Sequence, residues 1–405
     1  MTDLEMASEH RAWPAGLVHA ALALGGFAIG TTEFATMSLL PAFSKGMGVD
    51  APTGSHVISA YALGVVVGAP LFAVFGARLS RRTLLMLLMT WFALGNALSA
   101  LAPTFAALLA LRFLTGLPHG AYFGIAALVA AGLVPPAQRT TAVGRVLMGL
   151  TVATIVGVPL ANLVGQWLGW RWSFGVVATL ALLTVALVFV LVPADRPDTG
   201  ASPLRELGAL RSGQVWLTLA IGAVGFGGMF AVYTYLASTL TSVTHAPAFA
   251  VPLVLVVFGI GMTLGNLAAP RFANRALMPT AGALLAWSAV ALAIYPFATS
   301  HLWSITLAVA AVGAGGGLGA VLQTRLMDVA GEAQGLAASL NHSAFNTANA
   351  LGPWLGGIAI AAGCGWSSTG WVGFGLALGG LAIWAIAMLA EGRTAGHGRC
   401  AATKT

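Results

Sequence analysis

The sequence predicts an all-α polytopic membrane protein of twelve transmembrane helices, arranged as two pseudo-symmetric six-helix bundles. Three observations carry this. Only 7% of the 405 residues are charged and 58% are apolar, whereas soluble domains carry ~25% charged residues, so the chain lacks the polar surface that water demands. Apolar runs of about 20 residues, each long enough to cross a bilayer, recur along the whole length, without the alternating pattern of membrane β-barrels. The cations, finally, collect at alternate ends of these runs.

The spans are expected at 15–40, 54–75, 84–102, 104–133, 142–165, 172–193, 214–241, 248–270, 277–298, 302–324, 333–361 and 368–390. Pro, Gly and Arg punctuate short joins such as "PPAQR". The first run is read as a span rather than a cleaved signal, because it is too long and carries Glu33. One polar stretch, "ADRPDTGASPLRELGALRSG" at 194–213, falls near the middle. It divides a bundle at 1–193 from a second at 214–390, and 391–405 forms a tail. With the N-terminus in the cytoplasm, fifteen of the 18 Lys and Arg residues fall in cytoplasmic segments. Lys45 and Arg171 lie outside, and Arg112 lies within a span. Lys and Arg favour the cytoplasmic side, and one missed span would invert every later loop. The expected location is therefore the inner (cytoplasmic) membrane, with both termini and the linker cytoplasmic.

The two halves repeat at an offset of about 193–197 residues. "GARLSRR" ends span two and "APRFANR" ends span eight, so Arg78 and Arg82 correspond to Arg271 and Arg275, with Arg81 beside them. Span five carries Gly157 and Pro159 in "GVPLAN"; span eleven carries Gly352 and Pro353 in "GPWLGG". Proline within a span frees a carbonyl and kinks the helix. These Gly-Pro elements and arginines are candidate flexing and gating points. Six-span repeats of this kind build transporters that bind at the interface of the halves near the bilayer midplane.

Four stretches resemble the major facilitator superfamily, within it the twelve-span drug:proton antiporters and especially their sugar-efflux (arabinose-efflux-like) group. They are "GTTEF" in span one, "GARLSRR" after span two, "RFLTGLPHGAYFG" in span four and "GVPLANLVGQWLGWRWSF" in span five. The resemblance covers nearly the whole chain and implies the major facilitator fold, alternating access and, from the span-five motif, export. There are departures. The family's loop motif carries an Asp that pairs across the cytoplasmic gate, yet no acid lies between Asp50 and Asp195, and Asn274 stands where the second half would carry Asp.

Of eleven acids only Glu33 is within a span. A charge at the bilayer centre costs ~2.5–3.5 kcal/mol on insertion scales and marks function. Glu33 lies about 10 Å and Arg112 about 12 Å from the same membrane face, at ~1.5 Å per residue. A carboxylate whose exposure and cation contact change between conformations titrates with the transport cycle, which makes Glu33 and Arg112 the candidate proton-coupling pair; the alternative is a static ion pair. His119, seven residues after Arg112 on the same face, and Tyr122 nearby are candidate cavity residues. So are Tyr233, since Tyr233 and Tyr235 point to different faces, and His342, Asn346 and Asn349, a polar stripe on span eleven that Pro353 continues. The stripe suits a polar, uncharged substrate, or else bonds helix to helix.

The leading expectation is a secondary active exporter that admits protons and expels sugars or small amphipathic drug-like compounds, working as a monomer in the lipid bilayer. A proton symporter or uniporter is the alternative. No HExxH, paired intramembrane acids or Cys-His cluster supports an enzyme, and no Walker sequence supports ATP drive. A sensor would append a soluble domain that the chain has no room for. No cofactor, metal, disulfide or nucleic-acid partner is expected: Cys364 and Cys400 are far apart, and the net charge of +7 is scattered over span ends.

Overall fold

The structure is a computed structural model that describes residues 13–76, 79–135, 139–195, 211–330 and 334–402. Among these, regular structure is entirely helical. The helices are α1 (Ala15–Ser38), α2 (Leu40–Met47), α3 (Ala51–Phe75), α4 (Arg81–Leu101), α5 (Phe105–Gly132), α6 (Arg139–Val152), α7 (Val158–Trp167) and α8 (Trp170–Leu191). After residue 211 come α9 (Gly213–Gly225), α10 (Gly227–Ser242), α11 (Ala250–Ala273), α12 (Leu277–Ala298), α13 (Leu302–Ala314), α14 (Leu318–Val329), α15 (Gln334–Ala359) and α16 (Ser368–Ala402). Arg78, most of the expected linker (196–210) and both extreme termini lie outside the described residues.

Eleven stretches are long and apolar enough to cross a membrane, one fewer than the twelve expected from the sequence. The difference is α15. It is 26 residues long, but its Asn, His, Ser and Thr residues make it too polar for that set. Four other expectations change in detail. Pro41, which by the same punctuation is expected to end span one in a short join, instead sits in the first turn of α2, where its missing N–H is no loss. Span seven breaks at Phe226, between α9 and α10. Span five flexes through a π-helical turn, Ala153–Gly157, with Pro159 in the next turn. Its counterpart does not break at Pro353: α15 runs through to Ala359, and a π turn follows at Ile360–Cys364.

The packing differs between the two membrane faces. Toward the face that bears Asp195 and Ser212, the linker face, the apolar cores are separate. One draws only on residues 18–192, two others only on residues 215–387. Toward the opposite face a single core takes in both sets of helices, from Phe34, Phe43 and Ile58 to Phe230, Leu236 and Phe258. Hydrogen bonds between the sets lie in this half. They include Ser59 Oγ to Ala350 O (3.1 Å), Gln166 Nε2 to Ala248 O (3.3 Å) and Asn349 Nδ2 to Glu33 Oε1 (3.0 Å).

Close backbone approaches set the register that builds the site. A Cβ on Gly116 of α5 would lie 2.1 Å from Tyr61 O of α3. Only a glycine lets these helices touch so closely, and that contact brings Tyr61 beside Arg112 and His119, which flank Gly116 on the same face of α5.

Candidate functional site

Glu33 is buried in the C-terminal third of α1, between Thr32 and Phe34. Its carboxylate accepts the Asn349 Nδ2 hydrogen bond from α15, a residue 316 positions away. Phe34 continues the contact across the interface, with its ring 5.6 Å from that of Tyr233 and 6.2 Å from that of Phe230. Glu33 is thus held between the two sets of helices, whereas Asp328 and Glu391, the other acids in the candidate spans, lie at span ends. A buried carboxylate demands hydrogen-bond donors, and here the donor comes from the opposing set.

Arg112 is fully buried on α5. It makes no ion pair with Glu33. Its guanidinium lies over the Tyr61 ring at 4.4 Å and near the Phe174 ring at 5.2 Å, contacts in which the aromatic faces stabilise the cation. Nη1 donates at long range to Thr32 Oγ1 (3.3 Å) and Asn96 Oδ1 (3.4 Å), and Thr32 itself donates to Asn96 (2.8 Å). Nε and Nη2 have no partner. An uncompensated buried cation is costly, so this site holds unspent donor capacity beside Thr32, Glu33's neighbour in the chain.

A second cluster lies on the linker side of this pair. His119 Nδ1 is 3.0 Å from Tyr61 Oη. The His342 ring, from α15, stacks parallel to Phe123 at 5.4 Å and stands 6.3 Å from His119. Histidines of the two sets therefore face each other. Asn346 donates to His342 O, and the Oδ1 atoms of Asn346 and Asn349 are buried without donors. Tyr233 Oη is likewise buried and unpartnered, whereas Tyr235 donates to Pro353 O. Tyr122 donates to Leu22 O of α1 at 2.7 Å, so its hydroxyl ties α5 to α1 inside one set. The expected stripe is thus brought to the interface, and Tyr122 is not.

The described gating arginines lie at the linker face. Arg82 donates to Phe189 O and covers the Phe189 ring. The backbone N–H groups of Arg81 and Arg82 donate to the Asp195 carboxylate at 3.0 and 3.2 Å. An acid there satisfies free N–H groups and complements the helix dipole. Asp195 thereby supplies a carboxylate at the loop whose own acid is absent, from 113 residues further along the chain. Arg271 donates to Leu267 O within its own helix, and Arg275 is exposed. Arg325 of α14 pairs with Glu391 at 2.9 Å and reaches Gln214. These contacts each stay within one set of helices. Gly157 packs against Thr31 and Phe27 of α1, and Gly352 against the α10 backbone.

Among the described residues no cluster of His, Cys, Asp and Glu could hold a metal ion. What the site offers is a titratable acid, a buried cation and unpartnered polar atoms at the contact of two helical sets. The major facilitator model matches residues 22–330. The chain belongs to the Major Facilitator Superfamily. It is 42% identical to the inner membrane transport protein YdhP of Escherichia coli, over 86% of this chain and 90% of that one. It is 35% identical to a chloramphenicol resistance protein of Streptomyces lividans, over 82% and 86%. The crystal structure of the nucleoside transporter NupG shares the fold, with a TM-score of 0.71 at 15% identity, covering 91% of this chain and 99% of that one. The protein is thus a multi-pass membrane transporter, not an enzyme.

Sequence reasoning missed Tyr61, Thr32, Asn96 and Asp195. Asn96 carried a signal: it is the only amide in the apolar run of α4. Tyr61 carried none, because its role depends on which residue of α5 it meets.

Proposed function

We propose that this transporter is a proton-coupled exporter of small amphipathic or sugar-like compounds. The linker face is cytoplasmic, and the two sets of helices are the two halves that rock in alternating access. The observation that carries the reading is the placement of Glu33, an acid buried inside a span rather than at its end, at the contact between the sets. A proton on Glu33 alters its bond to the opposing set, so occupancy and conformation are linked. The core shared near the opposite face then corresponds to closure toward the outside. Arg112 holds the cationic background against which Glu33 titrates. His342, Asn346 and Tyr233, with unpartnered polar atoms or an interface position, contact substrate. Export rather than import rests on the span-five motif and on the similarity to a resistance protein.

The test uses purified protein in vesicles with an imposed pH gradient, a panel of sugars and amphipathic drugs including chloramphenicol, and a pH-sensitive dye inside. Transport is expected to move protons opposite to the compound. Glu33→Gln is expected to abolish uphill movement while leaving exchange without a gradient. If Glu33→Gln vesicles still concentrate a compound against its gradient, Glu33 is not the coupling site.

A further inference from the structure

The Glu33–Asn349 bond stands out among the contacts of the site because it ties the carboxyl group of one set to the other set. Asn349 is fully buried, and its Oδ1 has no donor. An amide can serve a carboxyl group in either charge state. Its N–H donates to the carboxylate; turned over, its oxygen accepts from the protonated acid. In the structure Nδ2 faces Glu33, the arrangement that serves the ionised form, and the idle Oδ1 is what the protonated form would use. Donation to the charged form favours it. Arg112, the cation near Glu33, is carried by Glu33's own set, so Asn349 is the hydrogen-bond partner that is withdrawn when the sets part.

We propose that Asn349 is the positioning residue that sets the proton affinity of Glu33 from across the interface, so that parting of the two helical sets changes how tightly Glu33 holds its proton. This rests on reading Glu33 as the titrating site. The charged and titratable groups that face Glu33 are Arg112 on α5 and Tyr61 on α3, with His119 behind Tyr61. On α10 the nearest titratable ring is Tyr233, against Phe34. Of the other elements packed on α1, α7 and the π turn carry no charged residue, Arg171 of α8 donates to Ala102 O, and Arg139 and Arg145 lie in the first two turns of α6. Arg112, Tyr61 and His119 are all carried by the same set as Glu33, and their distances to it are fixed by that set's own packing. Asn349 is the variable partner.

The experiment is an infrared pH titration of the full-length protein in lipid, following the carbonyl stretch of protonated carboxyl groups. The difference between wild type and Glu33→Gln isolates the Glu33 signal from the acids in loops. Asn349→Leu keeps the size of the side chain and removes the donor. Its Glu33 midpoint is expected about one pH unit above wild type, the difference between the amide's bond to the charged form and its bond to the neutral form. Asn349→Ala tests the same loss if the Leu variant does not fold. An unchanged midpoint in the variant that folds overturns the role of Asn349, while Glu33 remains the titrating acid. If Glu33→Gln removes no titrating signal, the reading of Glu33 itself fails, and the proposal with it.

Discussion

Gly68→Ala adds one methyl group where α3 meets α5. That Cβ would stand 1.9 Å from Leu117 O and 2.5 Å from its carbonyl carbon, against 3.4 Å for ordinary contact. The shortfall of 1.5 Å is against backbone, which cannot rotate away as a side chain can. The helices must separate by a distance of that order, and interior overpacking of this kind costs about 1–3 kcal/mol. Gly64 and Gly116 make similar approaches in the same contact, so separation at residue 68 loosens the whole seam and the Tyr61–Arg112 stack with it. The assay is thermal unfolding of purified protein in detergent, followed by size-exclusion chromatography after a heat step. Gly175→Ala is the control, since a Cβ there meets nothing within 4 Å and alanine favours the helix. The Gly68 variant is expected to lose folded protein several degrees below wild type, and the Gly175 variant at or above it. Equal stability of the two variants would refute the argument that this seam is backbone-limited.

Two further predictions concern the interface and the orientation. A Cβ on Gly259 of α11 would lie 2.8 Å from Thr154 O in the π turn of span five, so Gly259→Ala is expected to weaken the shared core without unfolding either set. A cysteine at Ser55, buried beside Gly357, should then react faster with a water-soluble maleimide; an unchanged rate counts against the contact. If the linker face is cytoplasmic, native Cys364, exposed near the opposite face, reacts with an impermeant maleimide in intact spheroplasts, and Cys364→Ser abolishes the labelling. A cysteine at exposed Arg275, in a background with both Cys364→Ser and Cys400→Ser, should label only after permeabilisation, and labelling of intact cells would invert the assignment.

Much of the architecture is legible because it is a matter of solvent. Long apolar runs must be helical to satisfy their own backbone in lipid, and a lone acid or cation within such a run stands out on composition alone. That is why Glu33 and Arg112 could be singled out and their depths matched from residue counts. The same reasoning weakened where polarity was spread. The stripe on α15 was read as a feature of a span, yet it also makes that helix less apolar than the other eleven. Backbone irregularities were placed near their proline or glycine cues but not always at them: the π turn precedes Pro159, and Pro353 lies inside an unbroken helix.

The sequence by itself determined the helical membrane class, the family and the two intramembrane charges, since each depends on a residue's own chemistry or on spacing along one helix. Partnership depended on the tertiary structure. Glu33 meets Asn349 rather than Arg112, Arg112 rests on Tyr61, and Asp195 serves the N-terminus of α4. These pairings depend on the rotation and register of one helix against another. Register is decided by close contacts such as Gly116 on Tyr61 O and Gly68 on Leu117 O, spread over residues distant in the chain, and helical periodicity carries no information about which neighbour a face will meet.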